Sequence, residues 1–285
     1  MRGKKLVAIG AAAMLALTAC GAGDNGNGLA LAKPFADVIQ LVAAAKDGAA
    51  KSKSSKIDFV AGTGAEGMTA TGAGVFDGAN SKFALVTDSA GEKSEMRYVD
   101  RVIYVKLSEA QLKQMGATTP WIKISPDATD PFSKVFSQIM TKAVEQSDPT
   151  RTLEQVEKAG KIVSSDQTQL NGEPVNHYVV DLDVQKSIEQ FTGDLPAEVR
   201  SKITDMLKGK DIHLPGELWL NKDQLPVQVK MDSSALAAVT SKKAVAPGAG
   251  IVTTKYTDWG SPVDVAAPAA DQVSDLGELI KKAGH

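Results

Sequence analysis

The sequence is poor in the side chains that most covalent and metal chemistry needs. A single cysteine among 285 residues excludes an intramolecular disulfide and any zinc site built on several thiolates. Three histidines, His177, His213 and His285, leave few candidates for nucleophile or metal chemistry. Neither charge sign dominates: 32 Lys and Arg stand against 34 Asp and Glu, for a formal charge of -2. A nucleic-acid-binding role therefore has no general electrostatic basis. Aromatic residues are scarce at 5%, yet the chain is 43% hydrophobic, enough for a folded core and too much for disorder. Beyond the N-terminus there is no run of eighteen apolar residues, so nothing else in the chain is expected to span a membrane.

What is present begins with a short basic head (Arg2, Lys4, Lys5), an apolar run from Leu6 to Ala19, and then Cys20. The run is short for a bilayer span, which needs about 20 apolar residues, and it ends in small residues as a cleaved signal does. Leu17-Thr18-Ala19-Cys20 resembles the bacterial lipobox, which implies that the Cys20 thiol takes a diacylglyceryl group and becomes the new N-terminus. Loss of the three basic residues leaves 29 of 32 against 34 acidic, so the mature protein is mildly acidic. The organisation expected is a signal peptide over 1–19, a lipidated cysteine and Gly/Asn-rich tether over 20–33, a body over 34–265, and a tail with a short helix over 266–285.

Within the body, Phe35, Val38, Ile39, Leu41 and Val42 predict a helix from Pro34 to about Lys46, with the proline in its first turn. Six alternating runs follow, Lys56 to Gly62, Thr69 to Phe76, Ser81 to Thr87, Lys93 to Val99, Val102 to Leu107 and Trp121 to Ile124, as in an antiparallel meander. Asp100-Arg101 reads as a tight turn without the usual glycine. Asp130 is placed to cap a second helix carrying Phe132, Val135, Phe136, Ile139 and Met140. Strands resume at Lys161 to Leu170 and Val175 to Val184 around Asn171-Gly172, the strongest hairpin signal in the chain. A third helix is expected from about Pro196 to Lys208, then strands at Gly216 to Leu220, Val227 to Asp232 and Ile251 to Trp259. Ten or eleven strands interrupted by helices, without strand-helix alternation, make an α+β fold with one large antiparallel sheet.

Tyr98 to Leu107, Pro120 to Ile124, Gly216 to Asn221 and Leu225 to Val229, behind a lipobox and a helix, resemble the actinobacterial LppX and LprG type of lipoprotein and the wider LolA and LolB carrier fold. The resemblance covers roughly Pro34 to Gly260. It implies a large curved sheet, an unclosed half-barrel, with helices over a concave face that holds acyl chains of lipids or lipoglycans. Period-two alternation supplies the cavity candidates Phe83, Leu85, Ile103, Val105, Val180, Leu182, Leu220 and Val229, with Phe136 and Ile139 from the second helix. Most apolar residues of such a face pack a solid core, and alternation does not say which ones line a cavity.

Catalysis finds no support. Gly62-Thr63-Gly64-Ala65-Glu66-Gly67 spells the dinucleotide fingerprint but leads into a strand, whereas the chemistry needs a helix N-terminus. Gly-x-Ser-x-Gly is absent. His177, Asp181 and Asp183 share the solvent side of one strand, where a Ser/His/Asp site with Ser164, Ser165 or Asp166 would exclude no water. His177 is expected at the surface, His213 in a loop and His285 at a disordered end. Trp121, Trp219 and Trp259 are expected to clamp the sheet, with a glycan or protein contact surface as the rival reading. The expectation is a monomeric, non-enzymatic lipoprotein on the extracytoplasmic face of the cell membrane, without cofactor or metal. Its partners are a lipid or lipoglycan, the membrane through Cys20, and a candidate membrane transporter. The alternative is a sensor or interaction lipoprotein with a filled core that works through its outer surface.

Overall fold

Alternation along the chain resolves into one twelve-stranded sheet in the computed structural model, which describes residues 31–62, 67–127, 130, 133–138, 141, 148–193, 197–240, 246 and 248–283. The first meander is β1 (Ser54–Ala61), β2 (Met68–Val75), β3 (Lys82–Ser89), β4 (Glu92–Val99), β5 (Val102–Lys106) and β6 (Trp121–Ile124). The second is β7 (Gly160–Leu170), β8 (Glu173–Asp183), β9 (His213–Leu220), β10 (Pro226–Asp232) and β11 (Ile251–Thr257). Antiparallel pairing of β1 with β11 joins them, giving the order β12-β6-β5-β4-β3-β2-β1-β11-β10-β9-β8-β7. With β7 and β12 at opposite edges, the sheet is an open, curved half-barrel. It departs from the expected all-antiparallel sheet at one edge, where β12 (Val273–Asp275) runs parallel to β6.

The hairpins follow from backbone chirality. Ala90-Gly91, Asp100-Arg101 and Asn171-Gly172 each form a two-residue loop with both φ values positive, between 52° and 87°. This is the mirror-image turn whose twist matches the flanking strands. Asp100 (φ 52°) and Arg101 (φ 64°) adopt it without glycine.

Capping side chains set where strands yield to helices. Asp37 accepts hydrogen bonds from the amides of Ile39 and Gln40 and starts α1 (Val38–Ser52), so Pro34 precedes the helix and does not form its first turn. Ser108 and Gln111 form a reciprocal capping box on α2 (Glu109–Met115), a helix in a segment without strand alternation. Asp148 caps α3 (Pro149–Ala159), also unexpected. Asp183 caps α4 (Val184–Thr192), ending one residue early the strand expected through Val184. The remaining helices are α5 (Ala197–Leu207), α6 (Ser234–Thr240) and α7 (Leu276–Ala283). Residues 133–138 are helical behind Asp130, whose Oδ1 accepts from the Ser133 amide at 2.7 Å, as a cap should.

α1 and α3 lie against the apolar face of the sheet. Leu41, Val42 and Ala45 of α1 and Leu153 and Val156 of α3 are buried with Ile57, Phe83, Tyr178, Leu218 and Leu220. A second cluster joins Leu182 and Val184 to Leu207, Ile212 and Leu214. Gly74 lets the Phe83 ring lie across β2, since a Cβ there would be 2.7 Å from that ring.

Candidate functional site

The register aligns the concave-face residues in rows: Phe83, Tyr98, Ile103 and Ile124 in one, Leu85, Met96, Val105 and Ile122 in the next. Tyr178, Leu218 and Val229 continue the face on the other half. Of the ten residues singled out from the sequence, Phe83, Leu85, Ile103, Val180, Leu182, Leu220 and Val229 are buried, while Val105 and Phe136 are half-buried. Leu182 belongs to the separate cluster with Leu207 and Leu214, apart from the others. Ile139 and Cys20 lie outside the described residues, as does His285.

The face is uneven in burial. On the β7–β10 half Tyr178, Val180, Leu218 and Leu220 are buried, with Ile162 and Met231 half-buried. On β4 and β5 Met96 and Val105 pair across the ladder and are half-buried, and Leu107, Leu112, Met115 and Phe136 are likewise half-buried against the core; these six are the apolar strip. No residue of α2 is fully buried. Leu112 and Met115 were missed because only their capping box, Ser108 to Gln111, marks this short helix in the sequence. All six side chains are apolar, as contact with an acyl chain requires. Among the described residues no group of three His, Cys, Asp or Glu side chains is placed to hold a metal ion.

A buried polar node sits beside the core. Asp148, 3% exposed, accepts from the Thr150 amide at 2.9 Å and hydroxyl at 2.7 Å, with Ser81 Oγ at 3.5 Å. Burial pushes its carboxyl above the usual range, opposed by the Thr150 hydrogen bonds. Burial, together with the charge of Asp148, drives the Tyr256 phenol up as well.

On the outer face His177 stands between Asp166 of the preceding strand, a neighbour expected from the sequence, and Glu217, which was not expected. Its Nδ1 is 2.9 Å from Asp166 and its Nε2 3.0 Å from Glu217, and its ring stacks on Trp219 at 4.7 Å. With a side chain only 17% exposed it is less open than a surface residue was expected to be, because Trp219 covers one ring face. Lys230 donates to Glu217 at 2.8 Å and holds that carboxyl below its usual range against partial burial, with His177 adding to the effect. Asp181 instead pairs with His213 at 3.0 Å, and Asp183 caps α4. His213 opens β9 and is not a loop residue, because β9 extends three residues further than expected to pair with β8.

The tryptophans are covered to different degrees. Trp121 is buried, with the Arg97 guanidinium 4.7 Å from its ring centre, and Trp259 donates to the Pro226 carbonyl at 2.8 Å while packing on Phe76 and Tyr256. Both brace the sheet. Beside Trp259 a pocket of about 550 Å³ opens at the turn end of β7–β11, and none of the ten sequence candidates lines it.

No family model matches the chain. One curated protein is similar to it, an uncharacterized 31.2 kDa protein in the rplA-rplJ intergenic region of Streptomyces griseus, 22% identical over 191 residues. That match takes in 67% of this chain and 59% of the relative's length. Among solved structures, the crystal structure of LprF from Mycobacterium bovis is similar, at 11% identity and a TM-score of 0.43, over 81% of this chain and 98% of that one. The fold class rests on the strand order itself. Among the described residues no helix is long and apolar enough to cross a membrane.

Proposed function

We propose that this protein is an extracytoplasmic lipoprotein, held to the cell membrane through acyl groups on Cys20, that shields acyl chains of a lipid or lipoglycan and carries or presents them across the envelope without catalysis. The observation that carries this reading is the set of half-buried apolar side chains Met96, Val105, Leu107, Leu112, Met115 and Phe136, packed against the core of the sheet and two of them supplied by α2. Keeping an acyl chain from water is worth about 0.8 kcal/mol per buried methylene, so a strip of this kind stabilises a bound chain by burial alone. The lipobox-like Leu17 to Cys20 supports the location. A transporter that loads or unloads the lipid is the partner this role calls for.

The test is solvent extraction of the purified protein followed by mass spectrometry, with thermal melts in added lipid. Stoichiometric acyl lipid is expected, and a ligand at about one hundred times its Kd should stabilise the fold by about 2.7 kcal/mol. Extracts without lipid, and melts that no acyl ligand shifts, would count for the surface-interaction alternative.

A further inference from the structure

The pocket at the turn end of the second meander shares no residue with the apolar strip, and its chemistry differs. Its walls are Leu170, Val175, Leu225, Val227, Tyr256 and Trp259, drawn from the ends of β7, β8, β10 and β11 and from the segments beside them. Val175, Leu225 and Tyr256 are themselves buried, and Trp259 is fixed by its hydrogen bond to Pro226, so the apolar walls are preformed. The β9–β10 turn is held as firmly. Asn221 Oδ1 accepts from the amides of Asp223 and Leu225, both at 3.0 Å, and a Cβ on Gly48 of α1 would lie 3.0 Å from the Asp223 carbonyl oxygen. A volume of about 550 Å³ is ample for a small ligand.

The rim adds polar discrimination. Of the charged residues that line the pocket, Asp223 pairs with Lys222 at 3.3 Å and Asp258 with Lys56 at 2.7 Å. That leaves one cation, Lys255, and one anion, Glu173, without an ion pair among the described residues. An apolar interior below one free charge of each sign matches an amphiphile with a single chain and a zwitterionic head. We infer that this pocket binds such a molecule, its chain against Val227, Tyr256 and Trp259, its anionic group toward Lys255 and its cationic group toward Glu173.

Four twelve-carbon probes that differ only in the head test the assignment on the purified full-length protein, below their micelle-forming concentrations. They are dodecylphosphocholine (zwitterion), laurate (anion), dodecyltrimethylammonium (cation) and dodecyl maltoside (neutral). Calorimetric titration should find dodecylphosphocholine bound most tightly. Lys255→Gln should weaken it and laurate by about fivefold while sparing the cation, and Glu173→Gln should weaken it and the cation by about fivefold while sparing laurate. Both are surface substitutions that leave the walls intact. Val227→Trp should abolish binding of all four. The inference is overturned if no probe binds saturably, if affinity ignores head charge, or if either Gln variant leaves dodecylphosphocholine binding unchanged. Extractable acyl lipid that survives Val227→Trp would uphold lipid binding at the strip whatever the pocket does, so the two readings fail separately.

Discussion

Introducing tryptophan at Val180 and, separately, at Val105 compares a fully buried position of the face with a half-buried one. Val180 is 2% exposed, between Tyr178 at 0% and Leu182 at 1% on the same strand face. Across the ladder it faces Gly216, where an added Cβ would lie 3.1 Å from Val180 Cγ2 and 2.5 Å from Met231 Sδ. The space above that glycine is therefore already taken by the valine and the methionine. Forcing an indole into it should cost about 1–3 kcal/mol, as overpacking of a well-filled core does. The opposite perturbation, Val180→Ala, removes two methyl groups worth about 1.6 kcal/mol in transfer, and the unfilled space brings the total to about 2–3 kcal/mol. Val105 pairs with Met96 and Ile122 and is only half-buried, so an indole there can lie along the strip. Val105→Trp should cost less than about 1 kcal/mol and should occupy the room of a bound chain. The assay is urea unfolding of the delipidated protein, scored by the midpoint at constant m, beside lipid extraction of each variant. A stable Val180→Trp together with a Val180→Ala cost below about 1 kcal/mol would place open space at Val180 and refute the division of the face. A Val105→Trp cost above about 2 kcal/mol would make the strip ordinary core.

Asp148 and Glu217 should act on stability with opposite pH dependence. Folding raises the Asp148 carboxyl above its ordinary value of 3.8, so its contribution is present below that value and lost as pH climbs through the folded value. Asp148→Asn keeps the helix cap and should gain on the native protein as pH rises in urea melts, whereas Asp148→Ala should lose about 1 kcal/mol of capping at pH 4 as well. No growth of the Asn advantage between pH 4 and 8 would refute this. The Glu217 carboxyl is lowered from 4.5, chiefly by Lys230, so its contribution is present above that value and lost as pH falls through the folded one. Glu217→Gln should destabilise at neutral pH and approach the native protein in acid, and a constant difference would argue against the pairing. Cys20→Ala should abolish acyl labelling and leave the precursor uncleaved or released, and membrane retention of the variant with normal acyl labelling elsewhere would defeat the proposed anchor.

Strands were legible because a half-buried sheet imposes period two on its own sequence. All six runs of the first meander fall within two residues of the observed strands, with Trp121 to Ile124 matched end for end. Helix starts were less legible, since one side chain decides them. Asp183 ends β8 and caps α4 within an alternating pattern that reads as continued strand, and α3 starts at Asp148-Pro149 with only Leu153, Val156 and Ala159 to mark its apolar side. The sites were hidden for a topological reason. His177 meets Asp166, which the sequence sets beside it, but its second carboxylate, Glu217, comes through cross-strand register with β9 and not from the nearby Asp181 and Asp183. The pocket walls come together only when the ends of distant strands align at one rim. Alternation shows which face of a strand is apolar. Whether that face is filled depends on the helices laid over it, and α2, whose Leu112 and Met115 pack against the core, was among the elements missed.

The attachment of the N-terminal segment has a consequence for how far the body can reach from a membrane. The Ala32 carbonyl accepts from Gln167 Nε2 and Asn176 Nδ2, both at 3.0 Å, and the Phe35 amide donates to the Tyr178 hydroxyl at 3.1 Å. The chain is thus tied to β7 and β8 before α1 begins, and only residues 21–31 separate Ala32 from the proposed anchor at Cys20. Covalent geometry limits that span to about 40 Å, whatever its conformation. Removing the tie adds the residues up to Asp37, where the α1 cap fixes the chain again, and so about 15–20 Å of further reach. The double substitution Gln167→Ala, Asn176→Ala should free residues 31–34 while leaving the Phe35 to Tyr178 bond and the α1 cap in place. Limited digestion with a nonspecific protease should then cut within 31–34 markedly faster than in the native protein, with the rest of the digestion pattern little changed, while loss of the buried Asn176 lowers the urea midpoint. Unaltered cleavage would show that the Phe35 to Tyr178 contact alone holds the segment. General acceleration of cleavage across the body would show that the two amides support the β7–β8 edge itself and are not a clasp for the tether.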